Sequence, residues 1–469
     1  MNIKAHLQDP IFSKITALAD AQGKEAYVVG GYVRDLILDR PTKDIDVMVV
    51  GNGIDFAKSV AGEMGARANL AIFKNFGTAL VQMGTTAIEF VGARKESYNR
   101  DSRKPVVDTG TKEDDLKRRD FTINTLAASL NANTFGEVTD MFGGVDDIEK
   151  QCIRVPNDAD VTFSDDPLRM MRAVRFASQL SFRIEDKTYE GMVRNCGRIT
   201  IVSQERITDE LNKILLSPKP SVGFKLLFNT GILKFIFPDL VKLEGVETRN
   251  GKGHKDNFYH TLQVVDNIAQ KTDDLWLRWA ALIHDIAKPA TKRFNSKSGW
   301  TFHGHEFKGA KMVPGIFREL RLPLNEKMKF VQKMVLLHLR PIALAKEEVT
   351  DSGVRRLLFD SGEDVESLMT LCEADITSKN EYKVKKFLKN FENVRRKLKD
   401  VESRDKIRNW QPPVTGEMIM EALNLGSGKE VGVLKTAIRE AIMNGEIEND
   451  KDEALRYMLA KAKELGIMS

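Results

Sequence analysis

The sequence predicts an α+β protein, with a small mixed-sheet head at the N-terminus and a mostly α-helical remainder. Three observations carry that expectation. Short apolar strand candidates recur at 26–30, 45–50, 78–83 and 86–91, with helical patterns between them. From Ser164 onward helical patterns follow one another. At 469 residues the chain is also too long for one small core, and its length suits roughly two to four domains.

Composition bounds the chemistry. Hydrophobic residues at 42% and charged residues at 30% describe a soluble globular protein. A net charge of +5 permits a polyanionic partner without demanding one. The three cysteines, Cys152, Cys196 and Cys372, have no CxxC spacing. That fits a reducing, cytoplasmic setting and argues against a disulfide framework. Lys4, His6 and Asp9 interrupt the apolar N-terminus, so no signal peptide is read there. No apolar run approaches the roughly 18 residues that a membrane span needs, so no membrane partner is expected.

Residues 1–26 read as a leading helix. The apolar run Ala26-Tyr27-Val28-Val29 then ends at Gly30-Gly31, and a helical pattern follows from Tyr32 to Leu38. A Gly-Gly turn lets backbone approach a phosphate closely, and Arg34 adds a charged contact. In the next strand Asp44 and Asp46 stand two apart, so both carboxylates leave on one face while Ile45 and Val47 face apolar packing. Two adjacent like charges are costly unless a cation lies between them, and Mg²⁺ with a substrate phosphate is the common solution. Surface aspartates on an ordinary strand–turn–helix–strand would show the same pattern. Glu89, a single acid in Ala87-Ile88-Glu89-Phe90-Val91, is either a third carboxylate facing that pair or an edge-strand surface residue.

Residues 94–115 are highly charged with little apolar periodicity and read as a mobile loop. Asp120 or Thr122 is expected to cap a helix running through Leu130, placing Arg118 and Arg119 at its mouth, where a triphosphate or plain solvent would suit them. Asp140 to Asp147 reads as a turn closing this domain. A helix opening around Asp166-Pro167 carries Asp166, Arg169, Arg172 and Arg175 three apart, on one drifting stripe. A salt-bridged outer face is one reading of the stripe; base and phosphate recognition is the other. Arg offers only donors and ionised Asp only acceptors. Cytosine and adenine each present an amino donor beside a ring acceptor, and uracil and guanine present the reverse. An Asp–Arg pair facing the site therefore favours C and A without a template. A further helical segment near Ser203 offers Glu205, Arg206 and Glu210 for bracing, and Ser217-Pro218-Lys219-Pro220 breaks it before a last helix that leads to Pro238.

The segments GGYVRD, DID, DLKRRDFTIN, DMFGGVDDI, DDPLRMMRAVRF and SQERITDEL stand in order over roughly residues 20–240. Together they resemble the motif set of the class II tRNA nucleotidyltransferases and bacterial poly(A) polymerases. The resemblance implies that Asp44 and Asp46 bind catalytic Mg²⁺, with Glu89 as the candidate third catalytic carboxylate. It implies that Gly31, Arg34, Arg119, Asp166, Arg169, Arg172 and Arg175 contact the nucleotide, CTP and then ATP. The family usually has Glu-Asp where this chain has Asp165-Asp166; the templating acid is kept. The 94–115 segment resembles the flexible loop that CCA-adding enzymes need for the switch from C to A, which argues against a C-only enzyme.

Six of the seven histidines fall between His254 and His338. His284-Asp285 ends an apolar stretch from Trp279 and is read as lying within that helix, where a buried His–Asp pair is expensive without a ligand. The ordered set His260, His284-Asp285, His305, His338 and Asp375 resembles the HD phosphohydrolase superfamily over about 254–380. The resemblance implies one metal on His260, His284, Asp285 and Asp375 and a second completed by His305 and His338, with His303 as a spare. The metal would be a divalent transition metal of unread identity, and Lys288 would orient a phosphate. From Val384 to Val401 apolar positions alternate by three and four beside a lysine- and arginine-rich face, a long amphipathic helix suited to solvent or to a tRNA backbone. Trp410 to Pro413 marks a break, and Gly426, Gly428, Gly432 and Gly445 punctuate a tail of short helices.

The expected organisation is a nucleotidyltransferase head at 1–150, a helical, nucleotide-selecting neck at 151–245, an HD domain at 246–382 and a helical tRNA-binding tail at 383–469. The implied activity is template-independent addition of C, C and A to a tRNA 3′ end. The alternatives are a poly(A) polymerase, or a mainly hydrolytic HD enzyme with an RNA-binding N-terminal half.

Overall fold

The computed structural model describes residues 1–42, 44–65, 68–99, 102–346, 350–377, 380–405 and 412–468. It divides into two units, Met1–Val241 and Lys242–Ser469.

The first unit opens with helix α1 (Pro10–Ala21), whose start Asp9 caps through the Ile11 N–H. Strand β1 (Ala26–Val29), helix α2 (Gly31–Ile37), strand β2 (Asp44–Val49) and helix α3 (Gly53–Met64) follow. Next come β3 (Asn69–Phe73), β4 (Thr78–Met83), β5 (Thr86–Gly92), β6 (Arg94–Asn99), β7 (Ser102–Thr109), helix α4 (Lys112–Lys117), β8 (Ala127–Ser129) and β9 (Val138–Thr139). Seven of these strands form one sheet in the order β3-β4-β5-β2-β1-β8-β9. Only β2 and β5 pair in parallel; the sheet is mixed. Helix α3 seals one face through Phe56, which meets Phe90 of β5 at 5.9 Å between ring centroids. The opposite face carries Asp44 and Asp46.

Two local expectations fail here. The 120–130 segment is not a helix. The Asp120 carboxylate accepts from its neighbour's N–H and from Asn124, holding Phe121 extended, and Ala127–Ser129 then enters the sheet between β1 and β9. A run buried on both faces has no helical stripe to show, so periodicity misleads. Nor is 94–115 an irregular loop. It forms the β6–β7 hairpin followed by α4, although Arg100 and Asp101 lie outside the described residues. One of its charges is satisfied from outside the segment: Glu96 accepts from Arg118 at 3.0 Å, and it also forms a 3.0 Å ion pair with Arg94. Strands β3, β8 and β9 had no clear alternation to betray them.

Helices α5 (Gly144–Glu149), α6 (Ala159–Asp165), α7 (Leu168–Leu180), α8 (Asp186–Asn195), α9 (Gln204–Leu215), α10 (Pro220–Asn229), α11 (Leu233–Ile236) and α12 (Pro238–Val241) complete the unit. Asp166 stands between α6 and α7 and so precedes the helix it was expected to share, and Pro167 is the α7 N-cap.

The second unit is mainly helical, with two short antiparallel strand pairs at 248–253 and 293–301. Its core comprises α13 (Asn257–Ala269), α14 (Leu275–Ile283), the short α15 (Lys288–Thr291), α16 (His305–Glu319), α17 (Glu326–Leu337), α18 (Leu339–Lys346), α19 (Asp351–Ser361) and α20 (Val365–Ala374). His284 and Asp285 lie just past the end of α14, not within it. The amphipathic pattern from Val384 is α21 (Glu381–Asp405), which buries Phe391, Val394, Leu398 and Val401. The tail holds α22 (Gly416–Leu423), α23 (Lys429–Asn444) and α24 (Lys451–Glu464). Gly432 sits inside α23 and punctuates nothing, whereas Gly445, with φ +75°, closes that helix. Trp410 and Gln411 lie outside the described residues. No described helix is long and apolar enough to cross a membrane.

Candidate active site and metal centre

A cleft of about 1890 Å³ opens on the acidic face of the sheet. Asp44 and Asp46 line it, as do Gly31, Arg34, Arg119, Asp166, Arg169, Arg172 and Arg175. Glu89 does not line it but stands directly opposite Asp46 in the β2–β5 register, on the same face. Burial raises the Asp46 carboxyl to about 6; Arg119 opposes that rise, and Glu89 and Asp44 add to it. Three acids share this patch, and an all-oxygen site that resists ionisation by itself fits a divalent cation.

The arginines are held by buried acids. Asp115 is fully buried and splits its oxygens between two of them: Oδ1 accepts from Arg118 at 2.6 Å and Oδ2 from Arg119 at 2.9 Å. Gly30 has φ +72°, and a Cβ there would stand 2.9 Å from Arg119 Nη1. Any side chain at position 30 would therefore both strain the turn and displace Arg119. Asp120 accepts from Arg172 Nε at 2.6 Å and from Asn124 Nδ2 at 2.9 Å, and Asn124 Oδ1 accepts from Arg34 Nη1 at 2.7 Å. This relay ties α7 to α2. Arg169 donates to the Arg118 carbonyl at 2.7 Å, and Arg175 Nε forms a 3.0 Å ion pair with Glu210. The Phe176 ring spaces the guanidinium groups of Arg34, Arg172 and Arg175, which lie 4.3–5.4 Å from its centroid. Asp115, Asn124 and Phe176 escaped the sequence reading. The i, i+3 and i, i+4 spacing of Asp115 to Arg118 and Arg119 was the available signal for the first.

Burial alone would push the Asp120 carboxyl up, but Arg172 and its hydrogen bonds hold it down at about 2. The stability this contributes is present above the unfolded carboxyl value and is lost as pH falls toward 2. Asp120→Ala leaves Asn124 and the one-third-exposed Arg172 without their shared acceptor and is expected to cost about 1–3 kcal/mol. Urea denaturation at pH 7 checks this; a loss below about 1 kcal/mol would contradict it.

In the second unit the expected metal-binding side chains converge. His260, His284 and Asp285 form one group, and Asp285, His305 and His338 form another, with Asp285 common to both. Asp285 Oδ2 lies 3.6 Å from His260 Nε2 and 3.2 Å from His284 Nε2, while Oδ1 lies 3.2 Å from His305 Nε2 and 3.9 Å from His338 Nε2. Asp375 Oδ1 lies 2.9 Å from His260 Nε2. Each ring is oriented from behind: Nδ1 of His284, His305 and His338 meets the carbonyls of Ala281, Phe302 and Val335 at 2.7–2.8 Å, and Nδ1 of His260 meets Thr377 Oγ1 at 2.8 Å. The three carbonyls fix the tautomers of His284, His305 and His338, and all four contacts turn Nε2 inward. His284 Nε2 is buried and, despite its contact with Asp285, finds no hydrogen-bond geometry. Imidazoles so braced around carboxylates, with an orphaned ring nitrogen among them, fit a transition metal. Burial and the neighbouring His284 push His338 down to about 4. The Asp285 carboxyl, against the effect of burial, is held well below its usual range by His284 and Lys288, whose ammonium bonds it at 2.5 Å. His303 is exposed and joins neither group.

Comparison with known proteins gives a consistent picture. Residues 26–154 match the poly A polymerase head domain, 181–243 the probable RNA and SrmB-binding site of polymerase A, and 257–380 the HD domain. The first and last of these domain types imply dependence on a divalent metal. An A-adding tRNA nucleotidyltransferase of Deinococcus radiodurans is 30% identical, over 71% of this chain and 76% of its own. A CCA-adding enzyme of Geobacillus thermodenitrificans is 28% identical over 94% of both. The chain spans only 44% and 27% of the A-adding relatives of Aquifex aeolicus and Geobacter sulfurreducens. The fold matches the Bacillus stearothermophilus CCA-adding enzyme solved with CTP, with TM-score 0.69 and 24% identity over 98% of this chain and 99% of that one. This chain therefore belongs to the tRNA nucleotidyltransferase and poly(A) polymerase family, and it carries an HD domain.

Proposed function

We propose that the protein is a CCA-adding tRNA nucleotidyltransferase, which extends tRNA 3′ ends with C, C and A from CTP and ATP without a template. One observation carries the reading: a single cleft holds the Asp44–Asp46 pair together with Asp166 and Arg169. The carboxylates suit Mg²⁺, which when bound activates the 3′-hydroxyl and stabilises the leaving pyrophosphate. Arg34 and Arg119 take the triphosphate, each aligned by a hydrogen-bonded partner. Asp166 and Arg169 face the base with acceptors and donors, and Arg172 and Arg175 complete the pocket. The exposed Lys385, Lys386, Lys389 and Lys399 of α21 offer a surface for the tRNA phosphates. In the HD domain a divalent transition metal on the imidazole–carboxylate cluster would hydrolyse phosphoesters.

A second reading, addition of the terminal A alone, is favoured by the A-adding relatives. The test is to incubate the protein and Mg²⁺ with tRNAs lacking the 3′ end or ending in CC, offer each nucleotide singly and together, and sequence the products. Ordered addition of C, C and A that then stops supports the first reading. Addition only to the CC end supports the second, and a run of A indicates a poly(A) polymerase. No incorporation would overturn all three. In the same assay Arg169→Ala is expected to lower the preference for CTP over UTP by about 10- to 100-fold, since one two-point base contact supplies about 1–3 kcal/mol of discrimination. Unchanged selectivity would remove Arg169 from base reading.

A further inference from the structure

We propose that Phe76, in the turn between β3 and β4, is a stacking site for the last bases of the RNA primer. The inference rests on the nucleotidyl-transfer reading above. Phe76 is 70% exposed, yet with Lys74 beside it lines the same cleft as Asp44 and Asp46. The ring is presented by a fixed backbone: Gly77 closes the turn at φ +65°, and Arg94 Nη1 donates to the Phe76 carbonyl at 3.2 Å. An isolated exposed apolar side chain is ordinary. One that lines a cleft together with arginines and carboxylates is placed for a ligand with a flat apolar face and a negative backbone.

The sheet order assigns the ligand. The carboxylates sit on β2. On one side of β2 lie β1 and β8, with the elements that hold the nucleotide-facing arginines: Arg34 on α2, and Arg172 through Asp120 just before β8. On the other side lie β5, β4 and β3. The registers Met48–Val91–Thr78 put the start of β4 level with Met48. Thr78 is therefore two strands across from Asp46 and two residues along, about 10 Å and about 7 Å away, and Phe76 stands just beyond it. In-line displacement brings the attacking hydroxyl in opposite the leaving pyrophosphate. With the triphosphate on the arginine side, the primer end comes from the β4 side, and its last two bases pass Phe76. A ring also suits the task. The primer ends first in a variable base, then in C, then in C, and stacking accepts each where hydrogen-bond readout would not.

The experiment uses the full chain and a tRNA acceptor-stem minihelix carrying 2-aminopurine at one of its last two positions, first without nucleotides. Wild type is expected to quench the fluorescence on binding, Phe76→Tyr to retain the quench, and Phe76→Ala to lose most of it. In steady-state assays Phe76→Ala is expected to raise KM for the RNA about tenfold and to leave KM for CTP unchanged. Unaltered quenching in Phe76→Ala would overturn the proposal. So would a rise in KM for CTP equal to that for RNA, which would give the ring to the nucleotide. Failure of the wild type to add any nucleotide would sink the nucleotidyl-transfer reading, while the quenching comparison would still judge Phe76 as an RNA contact.

Discussion

Asp46→Asn is expected to abolish nucleotide incorporation, by at least about 10³-fold in kcat, and at the same time to stabilise the metal-free protein at pH 7. The loss follows from removal of one of two carboxylates on the same face of β2, because the remaining one cannot hold a cation against a triphosphate by itself. The gain follows from the pKa. Burial lifts the Asp46 carboxyl from 3.8 to about 6. The folded chain therefore holds this proton over a range in which the unfolded chain has released it, and stability falls as pH rises between those two values. About two units correspond to at most roughly 3 kcal/mol at pH 7, a penalty that the neutral amide does not suffer. Thermal unfolding in EDTA should show the variant melting above wild type at pH 7, with the difference shrinking toward pH 4. Excess Mg²⁺ should narrow it as well, by binding wild type alone. Competition between proton and cation also implies that the Mg²⁺ concentration needed for half-maximal activity rises as pH drops below about 6. A variant that keeps its activity, or that melts lower than wild type in EDTA at pH 7, would contradict this account of the acid pair.

Asp285→Asn is expected to empty the HD centre of metal and to eliminate metal-dependent phosphatase activity, while leaving nucleotide addition intact. Asp285 is the one side chain common to both His-containing groups, and its two oxygens face four imidazoles. The amide keeps the volume but surrenders the charge that draws a cation and that opposes Lys288. Metal analysis of protein reconstituted with Mn²⁺, Co²⁺ or Ni²⁺ should show at least one equivalent lost. Hydrolysis of a generic phosphoester such as p-nitrophenyl phosphate should fall to background. Full metal content in the variant would disprove the central role of Asp285. Equal damage to both activities would show that the change spreads beyond the HD centre. Acid should release the metal from wild type, because protonated imidazoles cease to be ligands.

Much of this molecule is legible without coordinates. Strand period puts Asp44 and Asp46 on one face in any strand that contains them, and the order of the motif segments narrows the family. His284 and Asp285 stood out as an expensive polar pair beside apolar helix sequence, and the other donors of the HD centre were named through the resemblance to the HD superfamily. Other features were hidden for a common reason, which is that their partners are remote in sequence. The 94–109 hairpin looked irregular because Glu96 satisfies Arg118, 22 residues away. Ala127–Ser129 looked helical because both its faces are buried, and its state is set by β1, some 100 residues earlier.

By itself, then, the sequence determined the α+β class, the carboxylate pair and the basic residues available for a nucleotide, since these depend on residue identity and local periodicity, whereas the donor set of the HD centre was implied by resemblance to a family. Only the tertiary structure decided how they are used. It gave Arg118 and Arg119 to one buried Asp115 and linked Arg172 to Arg34 through Asp120 and Asn124. It also made Asp285 the shared centre of two metal-binding groups and left Phe76 exposed on the far side of the carboxylates. Apart from the Asp115 pairs, which a helical spacing connects, these depend on strand order and helix packing, which bring together residues that no local pattern connects.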